Sequence, residues 1–413
     1  MAAYALDHKN KQLTDMIRQE IIRKHGSVFL KLNNSSVEET VYEEASSLIR
    51  QELVTKGVDQ DTQDYVIAQL IGLGVVDILL KDPTISEIMI NAPDQIYIDR
   101  SGQLIKTDLV YDNDQELRDL SYRITQRCGR KINYSTPLVT ARLPDGSRVT
   151  ITFPPSSIHP TITIRRFTKH VFPTEELLAK NFLSEEMVTF FETVVRGKLN
   201  IIVCGGTRTG KTTTIRWLAD FIPRNERIIT LEQTRELALT HPHCISLEES
   251  SKASIYELML AILHMRPDRI ILGEMLGPES LEFLNAAGTG HEGAISSVHT
   301  GYYYKQAAID RMVRAMAQAK VVAPEDLRSM IAETVDLLVF IKRYPDGAHH
   351  IVNVCQVQSQ NGEPAFRDIF TFRKKDGIHH QVGSLSSELI TRIEDNILDE
   401  LPNIPSLRGD CCD

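Results

Sequence analysis

One segment, GGTRTGKT at residues 205–212, constrains the fold of this chain more than any other feature of the sequence. It matches the pattern G-x4-G-K-[ST] of a Walker A loop. The apolar run "KLNIIVCGG" leads into it and a helical pattern follows it, which is the context this loop requires. Backbone N–H groups of such a loop and the N-terminus of its helix hold phosphate groups. The sequence therefore predicts an α/β domain with a phosphate site at a strand–helix junction.

The residues of this loop are predicted to bind ATP together with Mg²⁺. Lys211 is expected to reach the β- and γ-phosphates, and the hydroxyl of Thr212 is expected to hold Mg²⁺. The predicted nucleotide-binding residues are Gly205, Gly206, Thr207, Arg208, Thr209, Gly210, Lys211, Thr212 and Thr213.

Apolar strands and helices alternate from residue 184 onward. The runs "ERIITLE", "PDRIILGE" and "GAISSVH" are nearly continuous apolar strands with helical patterns between them. Such strands are typical of a parallel sheet that is covered by helices on both faces. The run "VDLLVFIKRYPDGAHHIVNVCQV" predicts a hairpin around "PDG", which would add antiparallel strands to the sheet.

Polar side chains close three of these strands, at Glu232, Glu274 and His299. The carboxyl ends of parallel strands line the ligand crevice, so the three side chains are expected near the bound nucleotide. A carboxylate there can orient Mg²⁺ through water or take a proton from the attacking water. His299 can donate a hydrogen bond to the γ-phosphate. A lone glutamate at the end of a strand is more often a solvated residue, and His299 could be a structural histidine. It is their position on one sheet after a Walker A loop that favours catalysis.

The chain is expected to divide into four parts. Residues 1–80 read as an N-terminal helical region, and residues 81–168 as a small α+β domain with short strands and a hairpin around "PDGS". Residues 169–183 read as a polar linker. Residues 184–413 are expected to form the P-loop ATPase domain, whose length lies within the usual range of a single domain.

A group of arginines in the α+β domain is expected on two adjacent strands. These arginines could be surface charges, or they could be fingers that stabilise the transition-state charge on phosphate, in their own or a neighbouring subunit. The group comprises Arg142, Arg148, Arg165 and Arg166.

Composition excludes several classes of protein. The formal net charge of −9 argues against a surface that binds nucleic acid throughout. The pattern at the start of the sequence predicts no secretory signal, and no apolar run approaches the ~20 residues of a membrane span, so a cytoplasmic protein that reaches a membrane through a partner is expected. The six cysteines form no C-x-x-C pair, which argues against a zinc site.

Four motifs resemble, in order, the Walker A, Asp box, Walker B and His box of the type II/type IV secretion ATPase superfamily. They are "GGTRTGKTTT", "IITLEQTREL", "MRPDRIILGEM" and "GTGHEGAISSVHTG". Upstream, "ISEIMINAPDQIYIDRSGQL", "ARLPDGSRVTITF" and "TITIRRF" resemble the N-terminal domain of its Tad (Flp) pilus-assembly branch. The resemblance covers about residues 80–375.

The resemblance implies a RecA-like P-loop motor domain preceded by a small α+β domain and an N-terminal helical region. It also implies a homo-hexamer, peripheral at the cytoplasmic face of the inner membrane, that moves a polytopic platform protein of a pilus or secretion machinery. In that scheme Glu232 positions the attacking water, Glu274 organises Mg²⁺ and His299 contacts the γ-phosphate. The implied nucleotide-contacting arginines are Arg142, Arg148 and Arg165.

The sequence departs from the family pattern at several positions. Arg208 stands where a small residue is usual, Met275-Leu276 replace an expected arginine after the Walker B glutamate, and Gln233 replaces an acidic residue. The tetracysteine motif of the type II branch is absent, which disfavours that branch. These changes leave turnover and subunit coupling open. Three rival functions stay open with them: a conjugation or type IV secretion ATPase, a RecA-like nucleic-acid motor, and a nucleotide-binding scaffold with little turnover.

Overall fold

The chain forms two compact units, Met1–Thr168 and Lys169–Asp413. Most of residues 1–38 in the predicted N-terminal helical region lie outside the part described. The computed structural model describes residues 13–14, 16–17, 19–20, 23–24, 39–100, 102–166, 172–250, 252–301, 304–397, 402 and 406–407.

Three helices open the N-terminal unit after residue 38. Their bounds are Glu39–Thr55, Gln60–Leu70 and Val75–Lys81. The second begins at an N-cap, Asp59, whose side chain accepts a hydrogen bond from the N–H of Thr62 and so satisfies one of the free donors of the first turn. The first two helices bury their apolar faces against each other in a small core of their own. The described residues between 39 and 81 are therefore largely helical.

An antiparallel sheet forms the rest of this unit. Its strands, in the order β3-β2-β1-β6-β5-β4, have one face covered by the helix Asp114–Arg127, whose Leu117, Leu120 and Ile124 are fully buried. The described strands are β1 Ile85–Ala92, β2 Gln95–Arg100, β3 Gln103–Lys106, β4 Leu138–Arg142, β5 Arg148–Thr152 and β6 Thr161–Arg165.

Three members of the arginine group lie on three adjacent strands, where two strands were expected, and Arg166 directly follows the last of these strands. Arg142 on β4 is directly opposite Arg148 on β5, and Arg148 is directly opposite Arg165 on β6. The prediction of two strands was wrong because β6 joins the sheet beside the hairpin β4–β5 and continues the same row. Like charges opposite one another destabilise a sheet, whereas Glu87 of β1, directly opposite Arg165 on its other side, extends the row with a charge of the opposite sign.

The second unit is built on a large mixed sheet. The strand order is β15-β14-β13-β12-β7-β11-β10-β8-β9. Neighbours within β12-β7-β11-β10-β8-β9 pair in parallel, and neighbours within β15-β14-β13-β12 pair antiparallel. This confirms the parallel sheet and the hairpin predicted around "PDG". The described strands are β7 Ile201–Gly205, β8 Ile228–Glu232, β9 Cys244–Glu248, β10 Arg269–Leu272, β11 Ile295–His299, β12 Leu337–Arg343, β13 His349–Gln360, β14 Glu363–Arg373 and β15 Ile378–Gln381.

Helices cover both faces of this sheet. On β7, Ile201 and Val203 belong to one hydrophobic core and Ile202 and Cys204 to the other, so the central strand is buried on both sides. None of the helices in the described part of the chain has the length and apolar character to span a bilayer. The helices of this unit are Thr174–Ala179, Glu185–Arg196, Lys211–Ala219, Ile255–Ile262, Glu279–Gly288, Lys305–Met316, Pro324–Thr334 and Ser387–Asn396.

The segment expected as a linker contains regular structure. Helix Thr174–Ala179 lies within it, and Leu177 and Phe182 are buried in the core of the second unit. Burial of these apolar side chains holds residues 172–183 against the sheet, which the polar composition of the segment did not indicate.

Candidate active site

The phosphate loop, residues 205–212, joins β7 to the helix Lys211–Ala219 as predicted. Gly210 has φ of +102°, a conformation that is strained for any residue with a Cβ. Within the loop the Thr209 hydroxyl donates to the carbonyl of Gly206 at 3.0 Å. The loop is therefore closed on itself at the N-terminus of a helix, where backbone N–H groups favour an anion.

Lys211 lies inside this loop and is only 8% exposed. Its ammonium group donates to the carbonyls of Gly205 and Gly206, at 3.1 and 3.0 Å, and lies 3.0 Å from Nδ1 of His299. An ammonium group has three donors, so these contacts can engage all of them. A phosphate bound in the loop would replace some of these neutral acceptors with phosphate oxygens, so that both the donor and the acceptor carry charge.

His299 connects the loop to the neighbouring strand. The register pairs it with Gly205, and its Nε2 lies 2.8 Å from Oγ1 of Thr207. Its Nδ1 lies 2.9 Å from Oε1 of Glu274 as well as close to Lys211. A neutral imidazole nitrogen either donates or accepts, so Nδ1 bonds Glu274 in one tautomer and Lys211 in the other. The structure thus brings Thr207, Lys211, Glu274 and His299 into one hydrogen-bonded group. Loss or gain of a phosphate can change which atoms of this group carry the shared protons.

Glu232 lies at the same edge of the sheet but makes different contacts. The side chain is 5% exposed, and Oε1 accepts from the backbone N–H groups of Glu236 and Leu237 at 2.9 and 3.0 Å. Among the described residues, Oε2 is buried without a hydrogen-bond partner. Burial raises the pKa of Glu232 to about 7, reinforced by the nearby charges of Glu236 and Glu248 and opposed by the two N–H groups. A carboxyl that titrates near neutral pH is suited to take up a proton.

The departures from the family pattern have a structural setting. Met275 is fully buried and its N–H donates to the carbonyl of Ser297 at 2.9 Å, so this position packs in the core. Gln233 is exposed. Arg208 is also exposed, with φ of +59°, which is costly for a residue with a side chain. Position 275 therefore supplies no positive charge to the site, whereas the side chain of Arg208 adds a positive charge at the surface of the phosphate loop.

The residues predicted to hold Mg²⁺ fit that ion only with help from a nucleotide. In the described residues no group of three or more His, Cys, Asp or Glu side chains could hold a metal by itself. Thr212 is in the first turn of the helix after the loop, and Glu274 follows β10 at the same edge of the sheet. Mg²⁺ usually takes one or two such oxygen ligands and completes its shell with phosphate and water.

Sequence reasoning missed His349 as a residue of this site. It begins β13, and its Nδ1 lies 2.9 Å from the carbonyl oxygen of Thr209 in the phosphate loop. The β12–β13 hairpin was predicted, but β12 pairs directly with β7, and only that pairing places His349 beside the loop. The signal in the sequence was a pair of histidines after "PDGA", which gives no indication of its neighbour.

The predicted nucleotide-contacting arginines belong to the N-terminal unit. Arg142, Arg148 and Arg165 form a row on β4, β5 and β6 of that unit. Their action at the phosphate loop stays a prediction.

Residues 69–365 match the family model described as type II/IV secretion system protein. The chain belongs to this family. Together with the complete Walker A loop, membership identifies it as an ATPase of the type II/type IV secretion superfamily, as the four motifs predicted. The assignment to the Tad branch stays a prediction.

Named relatives support the same family. The type IV secretion system protein VirB11 of Brucella suis biovar 1 is 30% identical over 299 residues, 63% of this chain and 82% of that protein. A Sinorhizobium fredii protein named "Probable conjugal transfer protein TrbB" is 26% identical over 285 residues, 68% of this chain and 86% of that protein. The solved ATPase DotB of Yersinia pseudotuberculosis is 18% identical with a TM-score of 0.51, over 68% of this chain and 77% of that one. The likeness to DotB supports the fold.

Proposed function

We propose that this chain is a hexameric cytoplasmic ATPase, peripheral at the inner membrane, which powers pilus assembly or protein secretion through a polytopic membrane platform. The observation that carries the proposal is the convergence of Lys211, Glu274 and His299 at a closed phosphate loop in a member of this family. A Tad-like pilus machinery is the specific form favoured by the motifs upstream of residue 168.

Each residue of the site has a role in hydrolysis under this proposal. Lys211 leaves the loop carbonyls and binds the β- and γ-phosphates, while Thr212 and Glu274 would hold Mg²⁺. Bound Mg²⁺ supplies positive charge to the phosphate oxygens and orients them. Water attacks the γ-phosphorus, the bond to the β-phosphate oxygen breaks, and Glu232 takes the proton that the water loses. His299 donates to the γ-phosphate and senses its departure.

The pH profile of hydrolysis tests the assignment of Glu232. Because the carboxyl must be ionised to accept a proton, kcat/KM for ATP is expected to rise with pH through a limb near pH 7, following its raised pKa. Glu232→Gln is expected to lower the rate by about 100-fold and to remove that limb.

Glu236→Gln is the matched control for this experiment. It keeps the backbone N–H that Glu232 accepts from, but it removes a negative charge that raises the pKa of Glu232. The limb is therefore expected to move to lower pH with activity retained. An unchanged limb in Glu232→Gln would exclude Glu232 as the base.

A conjugation ATPase is the second candidate, favoured by the relative named for conjugal transfer. Two measurements on the purified chain separate both ATPase functions from the remaining rivals. Stimulation of ATP hydrolysis by DNA would favour a nucleic-acid motor, and absence of turnover with ATP and Mg²⁺ would favour a nucleotide-binding scaffold.

Particle symmetry tests the proposed ring. The purified full chain, incubated with Mg²⁺ and a non-hydrolysable ATP analogue, is expected to show six-fold rings by electron microscopy, because each nucleotide would be completed by a neighbouring subunit. Lys211→Ala prepared in the same way should yield fewer rings, since its loop loses the charge that retains the analogue. Monomers alone at micromolar concentration in the wild-type sample would contradict the hexamer.

A further inference from the structure

The first residue of β13 is bonded to the phosphate loop. Nδ1 of His349 lies 2.9 Å from the carbonyl oxygen of Thr209, immediately before Gly210. Because a carbonyl oxygen only accepts, Nδ1 must carry the hydrogen. Burial lowers the pKa of His349, opposed by the bond to Thr209 and reinforced by the positive charge of Arg343, and this bond makes Nδ1 the donor.

The next two residues of β13 are bonded to a different part of the chain, the connecting segment, residues 172–183. Nδ1 of His350 lies 2.7 Å from the carbonyl oxygen of Asn181, and the N–H of Ile351 donates to the carbonyl of Phe182 at 2.9 Å. Adjacent residues of one strand thus hold the phosphate loop and the connecting segment.

The ring of His350 is fixed in orientation by its surroundings. It stacks on Phe372 of β14 with ring centroids 4.1 Å apart and planes 13° from parallel. Asn181 is fixed as well, since its side-chain amide donates to the carbonyl of Gly377 at 2.7 Å. The bond between His350 and Asn181 therefore joins two groups that are each held in place by a second contact. A displacement of one group would strain or break this bond.

The other end of the connecting segment is attached to the helix that follows the phosphate loop. Nε1 of Trp217 donates to Oγ1 of Thr174 at 3.1 Å. Trp217 lies on the helix Lys211–Ala219, which begins at the phosphate-binding lysine. A shift of the loop and its helix on binding phosphate would therefore reach the connecting segment at both ends.

We propose that His349 and His350 are positioning residues that couple the phosphate loop to the connecting segment, so that the nucleotide state changes how firmly residues 172–183 are held. This inference rests on the proposed nucleotide site. The connecting segment belongs to the motor unit and begins a few residues after the N-terminal unit ends at Thr168. A change in its attachment is a direct way to convert nucleotide binding into motion of one unit against the other, and the strand that carries both histidines supplies the rigid element between the two contacts.

Hydrogen exchange at residues 172–183 tests the coupling. In the wild-type chain, ADP with Mg²⁺ is expected to change the rate of hydrogen exchange in this segment by about fivefold. This is the change in the opening equilibrium that corresponds to one hydrogen bond of about 1 kcal/mol. In His349→Ala and in His350→Ala this nucleotide-dependent change should disappear. His349→Ala should also weaken ADP binding by about fivefold, whereas His350→Ala should change it by less than about twofold, because its ring bonds the connecting segment instead of the loop.

Conservative variants distinguish positioning from mere packing. An asparagine amide nitrogen takes the place of Nδ1 of histidine, whereas a glutamine amide extends toward the place of Nε2. His349→Asn should therefore restore the nucleotide-dependent exchange, and His349→Gln should not. His380→Ala is the matched control, since this histidine of β15 bonds Asp376 through its Nε2 at 2.9 Å and should leave both readouts unchanged.

Three results would overturn the coupling. The first is nucleotide-dependent exchange of wild-type size in both alanine variants. The second is failure of His349→Asn to restore what His349→Ala loses. The third is a wild-type chain that binds ADP without any change at residues 172–183. Absence of ADP binding by the wild-type chain, measured separately by calorimetry, would instead overturn the proposed nucleotide site and the coupling with it.

Discussion

Lys211→Ala is expected to reduce ATP hydrolysis by about 10³-fold or more, to the background of the assay. The ammonium group lies buried in the phosphate loop and is the cation that the loop and its helix place inside the phosphate site. Without it the charge that builds on the leaving phosphate loses the buried cation of the loop and keeps only the backbone N–H groups. The measurement is steady-state phosphate release by the purified full chain with Mg²⁺.

The same variant should remain folded. Loss of the ammonium group leaves the carbonyls of Gly205 and Gly206 without this donor, but water can reach them once the side chain is gone. The free energy of unfolding is therefore expected to fall by at most about 3 kcal/mol. Thermal unfolding checks this, with Lys252→Ala as a control at an exposed lysine. Turnover of wild-type size in folded Lys211→Ala would remove the loop from the mechanism.

Arg142→Ala and Arg165→Ala are each expected to lose about 10³-fold in hydrolysis while ATP binding weakens only modestly. Position 275, where an arginine was expected, is a buried methionine, so the transition state lacks a cation from there. The row of Arg142, Arg148 and Arg165 sets like charges opposite one another on three strands, with Glu87 of β1 opposite Arg165 at one end of the row.

Mixed rings test whether these arginines act across a subunit boundary. A Lys211→Ala subunit keeps its arginines, and an Arg142→Ala subunit keeps its loop. Mixing the two inactive proteins should therefore restore part of the activity if the arginine serves its neighbour. Arg130→Ala, at an exposed arginine of the same unit, should stay fully active. Full activity in both single variants would leave the N-terminal unit a mechanical part only.

The core of the motor unit could be predicted because its signals are local. A strand, a glycine-rich loop and a helix must follow one another around Lys211, and the apolar runs that end at Glu232, Glu274 and His299 specify parallel strands whose ends meet at one edge. The hairpin around "PDG" was predictable for the same reason, since its turn residues and its two apolar runs are adjacent.

Contacts between distant segments could not be predicted from such signals. His349 reaches the loop only because β12 pairs with β7, a register that no local pattern specifies. Glu232 was placed correctly at the end of its strand, but its raised pKa depends on burial and on Glu248 of β9, an edge strand that is only half-buried and has a weak apolar pattern. The row of arginines on three strands likewise depends on how β6 joins the sheet.

A structure of the chain with ADP and Mg²⁺, determined by crystallography or electron microscopy, tests the proposed nucleotide site most directly. We expect a β-phosphate inside residues 205–212, with Nζ of Lys211 moved from the carbonyls of Gly205 and Gly206 to a phosphate oxygen, and Mg²⁺ on the hydroxyl of Thr212. A nucleotide bound elsewhere, or one in the loop with Lys211 still on the two carbonyls, would contradict this site.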